Sequence, residues 1–394
     1  MRFNIDYLML FVLFMVLPFF DAANGILVIN GLIEEGGVAS PSQFGRAMLL
    51  GLLVYMVYRA RLSVVPFYFL LFLLSVELVY GLLHGQVFGV ILGIITTQKL
   101  IYLFLVSIVI ENILSKSQSS QKDVYNLFQV NLLILSICLI FSTITSVGNS
   151  TYGWGFGTKS FFSSGNGLGL YLGIGTLVLI GIKRYFYPKI SLMILFVCSV
   201  SVALIGSKTA LLFCMINLTL LLWITKYRSI VFVIFIVISP FFIASVVDFL
   251  FVLFDVIAAR FDNSDSLLYY LGSGRIEYVL SAFDVFWEND GNIIRLLFGS
   301  GAFVSFQSIE HVVLFDTLET DLFDLIFMYG LVSAIIYLSL SFFILYKLKG
   351  KPILIVAFLL LMGHSVIAGH VLFNGMSSIC FAIFYALSSN VRRL

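Results

Sequence analysis

An acidic cluster late in the chain holds the densest chemistry. Glu310, His311, Asp316, Glu319, Asp321 and Asp324 fall in one stretch that leads into an apolar run. Asp324 lies about one turn inside that run, where a carboxylate needs a partner or a wet cavity. Asp321 and Asp324 lie about 60° apart on one helix flank, and Glu319 lies on another. A metal site would need converging oxygens. A general base beside cationic phosphate-binding groups accounts better for the mixture of signs.

Cations precede the cluster. Ser273-Gly274-Arg275 opens a helical pattern with apolar residues at Ile276, Val279, Leu280, Phe283, Phe286 and Trp287, and polar Glu277, Ser281, Asp284 and Glu288 opposite. Ser273 is the predicted N-cap. A capped surface helix fits this segment. So does an anion site, in which free helix N–H groups and the positive dipole end work with the Arg275 guanidinium on phosphate oxygens. Lys208 stands in Gly206-Ser207-Lys208-Thr209, and Lys99 in the polar notch Thr96-Thr97-Gln98-Lys99. Both fit snorkelling structural lysines, and both fit a cationic cavity for an anionic lipid head group. Glu77, inside an apolar run, is expected to pair with one of these bases. His364 and His370 read as interfacial helix residues. Leu296-Leu297-Phe298-Gly299-Ser300-Gly301 reads as a tight turn, with no strand before it for a dinucleotide site.

The elements that carry these residues must be membrane helices. Of 394 residues 61% are hydrophobic and 11% charged, and mean hydropathy is +1.11. So little charge cannot cover a soluble surface. The net charge of +2 points to no nucleic acid. The predicted fold is an all-α polytopic membrane protein with about twelve transmembrane helices. The spans are residues 5–20, 43–58, 64–83, 93–113, 124–145, 167–182, 190–206, 208–224, 229–247, 322–346, 352–369 and 373–389. Residues 1–247 hold nine spans, 248–321 form a large outer loop with an amphipathic helix, and 322–394 hold three spans and a tail. Alternate connections, with Arg2 and Arg392-Arg393, hold 15 of the 22 basic residues, which predicts both termini in the cytoplasm. Met1 to Phe20 reads as a retained first helix. A second outer segment, Val147 to Gly167, is rich in Gly, Ser and aromatics. Cys138, Cys198, Cys214 and Cys380 read as small apolar packing residues. No tandem or inverted repeat appears, and a transporter would more often carry one.

Three local motifs, in order and on one predicted side, resemble the O-antigen polymerase and ligase superfamily, especially the Wzy-type polysaccharide polymerases. Gly206-Ser207-Lys208-Thr209-Ala210-Leu211-Leu212 is similar to the family's Ser-Arg-x-Ala-Leu segment, with Lys where Arg is usual. Ser273-Gly274-Arg275, an aromatic-rich helix and Phe298-Gly299-Ser300-Gly301 resemble its loop pattern. Glu319-Thr320-Asp321-Leu322-Phe323-Asp324-Leu325 to Tyr329-Gly330-Leu331 resembles the segment that enters the next span. Ligases usually carry His-Asn where Glu319-Thr320 stand, and Glu-x-Asp is the polymerase form.

The resemblance implies glycosyl transfer from undecaprenyl-pyrophosphate-linked repeat units at the periplasmic face of the bacterial inner membrane. No metal or other cofactor is expected. Arg275 and Lys208, with Lys99, would hold the pyrophosphate leaving group. Glu319 or Asp321 would take the acceptor proton, with His311 in reserve. Expected partners are the lipid-linked donor and acceptor, membrane lipids and a chain-length regulator. An O-antigen ligase and a flippase of lipid-linked glycan are the alternative readings.

Overall fold

The computed structural model describes residues 4–33, 40–85, 87–152, 157–225, 274–312 and 315–389. The predicted span 229–247, residues 248–273 with Ser273, the Gly153 to Phe156 centre of the second outer segment, and Arg392-Arg393 lie outside them.

Among the described residues the fold is all-α, with one two-stranded hairpin. The helices are α1 (Ile5–Phe11), α2 (Leu17–Ile29), α3 (Pro41–Ala60), α4 (Val65–His84), α5 (Val87–Lys116), α6 (Gln118–Thr145), α7 (Gly165–Tyr185), α8 (Leu192–Ala203) and α9 (Lys208–Ile224). After residue 273 come α10 (Arg275–Glu288), α11 (Ile293–Phe298), α12 (Asp321–Lys347), α13 (Pro352–Ala368) and α14 (Ser378–Ser389). Six helical stretches among the described residues are long and apolar enough to cross a membrane: Ile5–Ile29, α4, α5, α6, α7 and α12. Helices α8, α9, α13 and α14 are apolar but shorter.

Burial follows composition. Helices α5 and α7 are largely apolar without a single apolar stripe, as helices surrounded by protein tend to be, and both are buried on most faces. Helix α5 packs chiefly against α14, and α7 against α9 and α13. Small residues let these helices approach: a Cβ on Gly173 would stand 2.5 Å from the Phe213 ring. A π-helical turn, Val12–Val16, joins α1 to α2. Asn131 of α6 donates to the Phe14 carbonyl there and accepts from the Tyr171 hydroxyl at 2.6 Å. This polar knot fixes the entry of the chain against α6 and α7.

The last long helix is broken. Gly330 interrupts α12 with φ 78° and ψ 172°, a conformation essentially confined to glycine. The carbonyls of Phe327 and Met328 accept from the N–H groups of Ser300 and Gly301 at 3.0 and 2.9 Å. The Gly299-Ser300-Gly301 turn therefore docks on the break. A Cβ on Gly330 would stand 2.1 Å from the Leu297 carbonyl oxygen.

Arg295 organises the same region. It is 1% exposed and donates to Ser300 Oγ and to the carbonyls of Asn289, Ser305 and Gln307, at 2.8 to 3.3 Å. Its guanidinium also lies 5.0 Å from the Phe286 ring centroid. Glu77 differs from expectation. It accepts from the Ala302 N–H at 2.9 Å instead of pairing with a lysine, because the 300–305 turn lies directly over α4. The four cysteines are unbonded thiols, three of them buried.

Helix α10 also differs in its buried face. Val279, Ala282 and Phe286 are buried against Phe306, Leu318 and Phe327, whereas Ile276, Leu280 and Trp287 are exposed. Its N-cap position is held by Gly274 in the left-handed region, with no side-chain cap.

Candidate functional site

A cavity of about 970 Å³ opens where several helix ends meet. Its walls come from the start of α7 (Ser164, Gly165, Asn166), the α8–α9 turn (Ser207, Lys208, Thr209), Arg275 at the start of α10, Glu319 before α12, and the end of α13 with His364 and His370. The volume lies in the range of ligand pockets, roughly 300–1,000 Å³.

Each wall is fixed by local chemistry. Ser164 and Ser207 are N-caps that accept from the N–H groups of Gly167 and Ala210, both at 3.2 Å. The segment between α6 and α7 carries the hairpin Asn149–Ser150 with Thr158–Ser160. It is bound to the α8–α9 turn through Thr158 N–H to Leu204 O and Thr151 Oγ1 to Ile205 O. This docking delivers Lys159 to the cavity, where Nζ donates to the Ser163 carbonyl at 3.1 Å. The starts of α7, α9 and α10 thus meet around Arg275, Lys208 and Lys159. Converging positive dipole ends and cations make a site for an anion.

Arg275 forms an ion pair with Glu319. Asp324 holds the preceding loop, accepting from the N–H groups of Leu318 and Thr320 at 2.8 and 3.1 Å. Glu319 takes a positive φ of 53° between those anchors. Burial opposes its ionisation, but the Arg275 hydrogen bond and charge, with His370, outweigh it and hold the carboxyl below its ordinary range. Burial keeps the His370 imidazole below its ordinary value against the pull of Glu319, with Arg275 adding to the depression. The Nε2 atoms of His364 and His370 are buried without a partner among the described residues.

Of the residues singled out from the sequence, Arg275, Lys208 and Glu319 meet in this cavity. The other three site candidates, Asp321, His311 and Lys99, do not line it. Asp321 is 1% exposed, and its Oδ2 accepts from Ser365 Oγ and the Val371 N–H, both at 2.8 Å. It fastens α12 to the α13–α14 connection. Asp324 is also buried and engaged, as a paired structural carboxylate should be. His311 is exposed, beyond the cavity walls. Lys99 lines a separate, smaller chamber.

Lys159, His364 and His370 join the site without having been selected as its candidates. Lys159 gives no signal beyond its place in a Ser-rich outer segment, and the histidines only their place at a helix end. Comparisons with protein-family models, curated proteins and solved structures find no match.

Proposed function

We propose that this protein polymerises undecaprenyl-pyrophosphate-linked oligosaccharide repeat units at the outer face of the bacterial inner membrane, without a metal. The observation that carries this reading is the convergence of Arg275, Lys208 and Lys159 with three helix starts on one cavity. In this reading the chain has about twelve spans, and residues 248–321 form the outer loop. Both termini are cytoplasmic, and a chain-length regulator is a partner. The orientation is supported by the basic connections Arg59–Arg61, Lys116–Lys122, Lys183–Lys189 and Lys347–Lys351. Lys183–Lys189 and Lys347–Lys351 lie at the ends of α7 and α13 opposite those that frame the cavity.

The chemistry runs as an ion-pair exchange. Donor pyrophosphate draws Arg275 away from Glu319, and Lys208 and Lys159 share its charge. The freed Glu319 then accepts the proton of the acceptor sugar hydroxyl. The hydroxyl oxygen bonds to the anomeric carbon, the carbon–oxygen bond to pyrophosphate breaks, and its electron pair leaves with the phosphate. The cavity holds the two substrates together, which lowers the entropic part of the barrier.

The test is chain extension by purified protein on lipid-linked repeat units, read as a product ladder. Wild type should build the ladder in chelator. Arg275→Ala should leave single repeats, and Arg275→Lys should recover only part, because an ammonium cannot reproduce the guanidinium fork. A full ladder from Arg275→Ala would sink the proposal. Transfer of a finished glycan to lipid A core, without extension, would identify a ligase instead.

A further inference from the structure

A second chamber of about 190 Å³ lies beside the main cavity, and Ser163 and Ser164 line both. Its other walls come from α2 (Asp21, Asn24), α3 (Ser42, Gln43, Arg46), α5 (Lys99) and the α13–α14 connection (Asn374). Asp21 is engaged, with Arg46 Nη2 donating to it at 2.7 Å and Ser42 Oγ donating as well. That leaves one positive charge, Lys99, which has no hydrogen bond or ion pair among the described residues. A lysine in an apolar helix bundle without a counter-charge is costly.

The chamber also keeps unused hydrogen-bonding groups. Asn24 is 7% exposed, and its Oδ1 has no partner, nor does the buried Oε1 of Gln43. Asn374 commits its Oδ1 to the N–H groups of Met376 and Ser377. Its NH₂ group remains for a ligand. Buried polar groups are almost always paired, so such a set points to a ligand that supplies the missing partners. Side-chain amides suit vicinal hydroxyls, which both donate and accept. One free ammonium suits one negative charge. A pyrophosphate carries more charge than Lys99 can neutralise, and the Asp21 carboxylate in the wall would oppose the excess.

We propose that this chamber binds one acidic sugar of the repeat unit, with its carboxylate on Lys99 and its hydroxyls on the amides of Asn24, Gln43 and Asn374. The inference rests on the glycan-polymerase reading and names a substrate class for it, a repeat unit that carries a uronic acid. Lys99 then selects the acceptor sugar, and the leaving pyrophosphate is held elsewhere, by Arg275 and Lys208.

The experiment uses the full chain in nanodiscs and three probes, methyl glucuronoside, methyl glucoside and inorganic pyrophosphate. Binding is read by saturation-transfer NMR and competition. The uronoside should bind about tenfold more tightly than the glucoside, a difference of ~1.4 kcal/mol. Lys99→Gln should remove that preference, Lys99→Arg should keep it, and Arg275→Ala should leave it unchanged. Thermal unfolding confirms that each variant is folded. Equal binding of the two glycosides by wild type, or a preference that survives Lys99→Gln, would overturn the inference. So would pyrophosphate binding that depends on Lys99. Failure of the polymerase reading has a different signature. Pyrophosphate binding would then be indifferent to Arg275→Ala and Lys208→Ala, while the Lys99-dependent uronoside preference persisted.

Discussion

Glu319 and Arg275 form an ion pair at the cavity, and in the proposed chemistry each acts elsewhere during reaction. The pair sets a pH dependence. The folded-state carboxyl of Glu319 lies below its ordinary value of about 4.3. Its contribution to stability is therefore present above the unfolded-state value and is lost as pH falls through the folded-state value. Detergent-solubilised wild type should lose thermal stability across that acid window, and Glu319→Gln should flatten that part of the curve. In the ladder assay at pH 7, Glu319→Gln should reduce extension by about 10²-fold or more, the usual scale for a lost general base. Near-normal extension by this variant would transfer the role to His370, whose buried Nε2 faces no partner among the described residues. Glu319 was selected from its charge and position alone. Its exclusive access to the cavity, compared with Asp321, depends on Ser365 and Val371, about 45 to 50 residues away in sequence.

At the scale of elements, the break in α12 and the turn docked on it form one unit. Gly330→Ala would force a side chain into a glycine-only conformation, at a cost of about 1–3 kcal/mol, and into the Leu297 carbonyl. The expected outcome is a lower unfolding temperature with proteolytic cleavage appearing near residues 299–312. Unchanged stability and protection would show that the docking is dispensable. Arg295→Met tests the same unit from the other side. It removes donors from three backbone carbonyls, each costing about 1–3 kcal/mol if left unpaired in the interior. It should destabilise more than any substitution at exposed Glu310 or His311. The amphipathic periodicity of α10 located the helix, but not which apolar residues it buries. Period alone marks a broad apolar stripe, and the partner surface of Phe306, Leu318 and Phe327 selects Val279, Ala282 and Phe286 from it.

For the whole molecule, the proposed orientation rests on charge asymmetry. A reporter active only outside the cytoplasm should work when fused at Glu310 and be silent at Lys122 and Lys189. Activity at Lys189 would invert the orientation and move the cavity to the cytoplasmic side. Composition alone determined that the chain is an all-α membrane protein, because so few charges cannot face water around a core of this size. Hydropathy runs located most of the helices, since each run must satisfy its backbone within itself. Charge, position and the order of short motifs together gave Arg275, Lys208, Lys99, Glu319, Asp321 and His311 as candidates. Tertiary structure alone decided that Lys99 belongs to a different chamber, that Asp321 and Asp324 are bound internally, and that Lys159, His364 and His370 join the cavity. It also decided that Arg295, one cation among 22 in the sequence, is the hub of the 299–307 turn. The reason is physical. Helix formation and membrane insertion are read from neighbours within a few turns, whereas convergence at a site depends on pairings across tens to hundreds of residues, which no local pattern encodes.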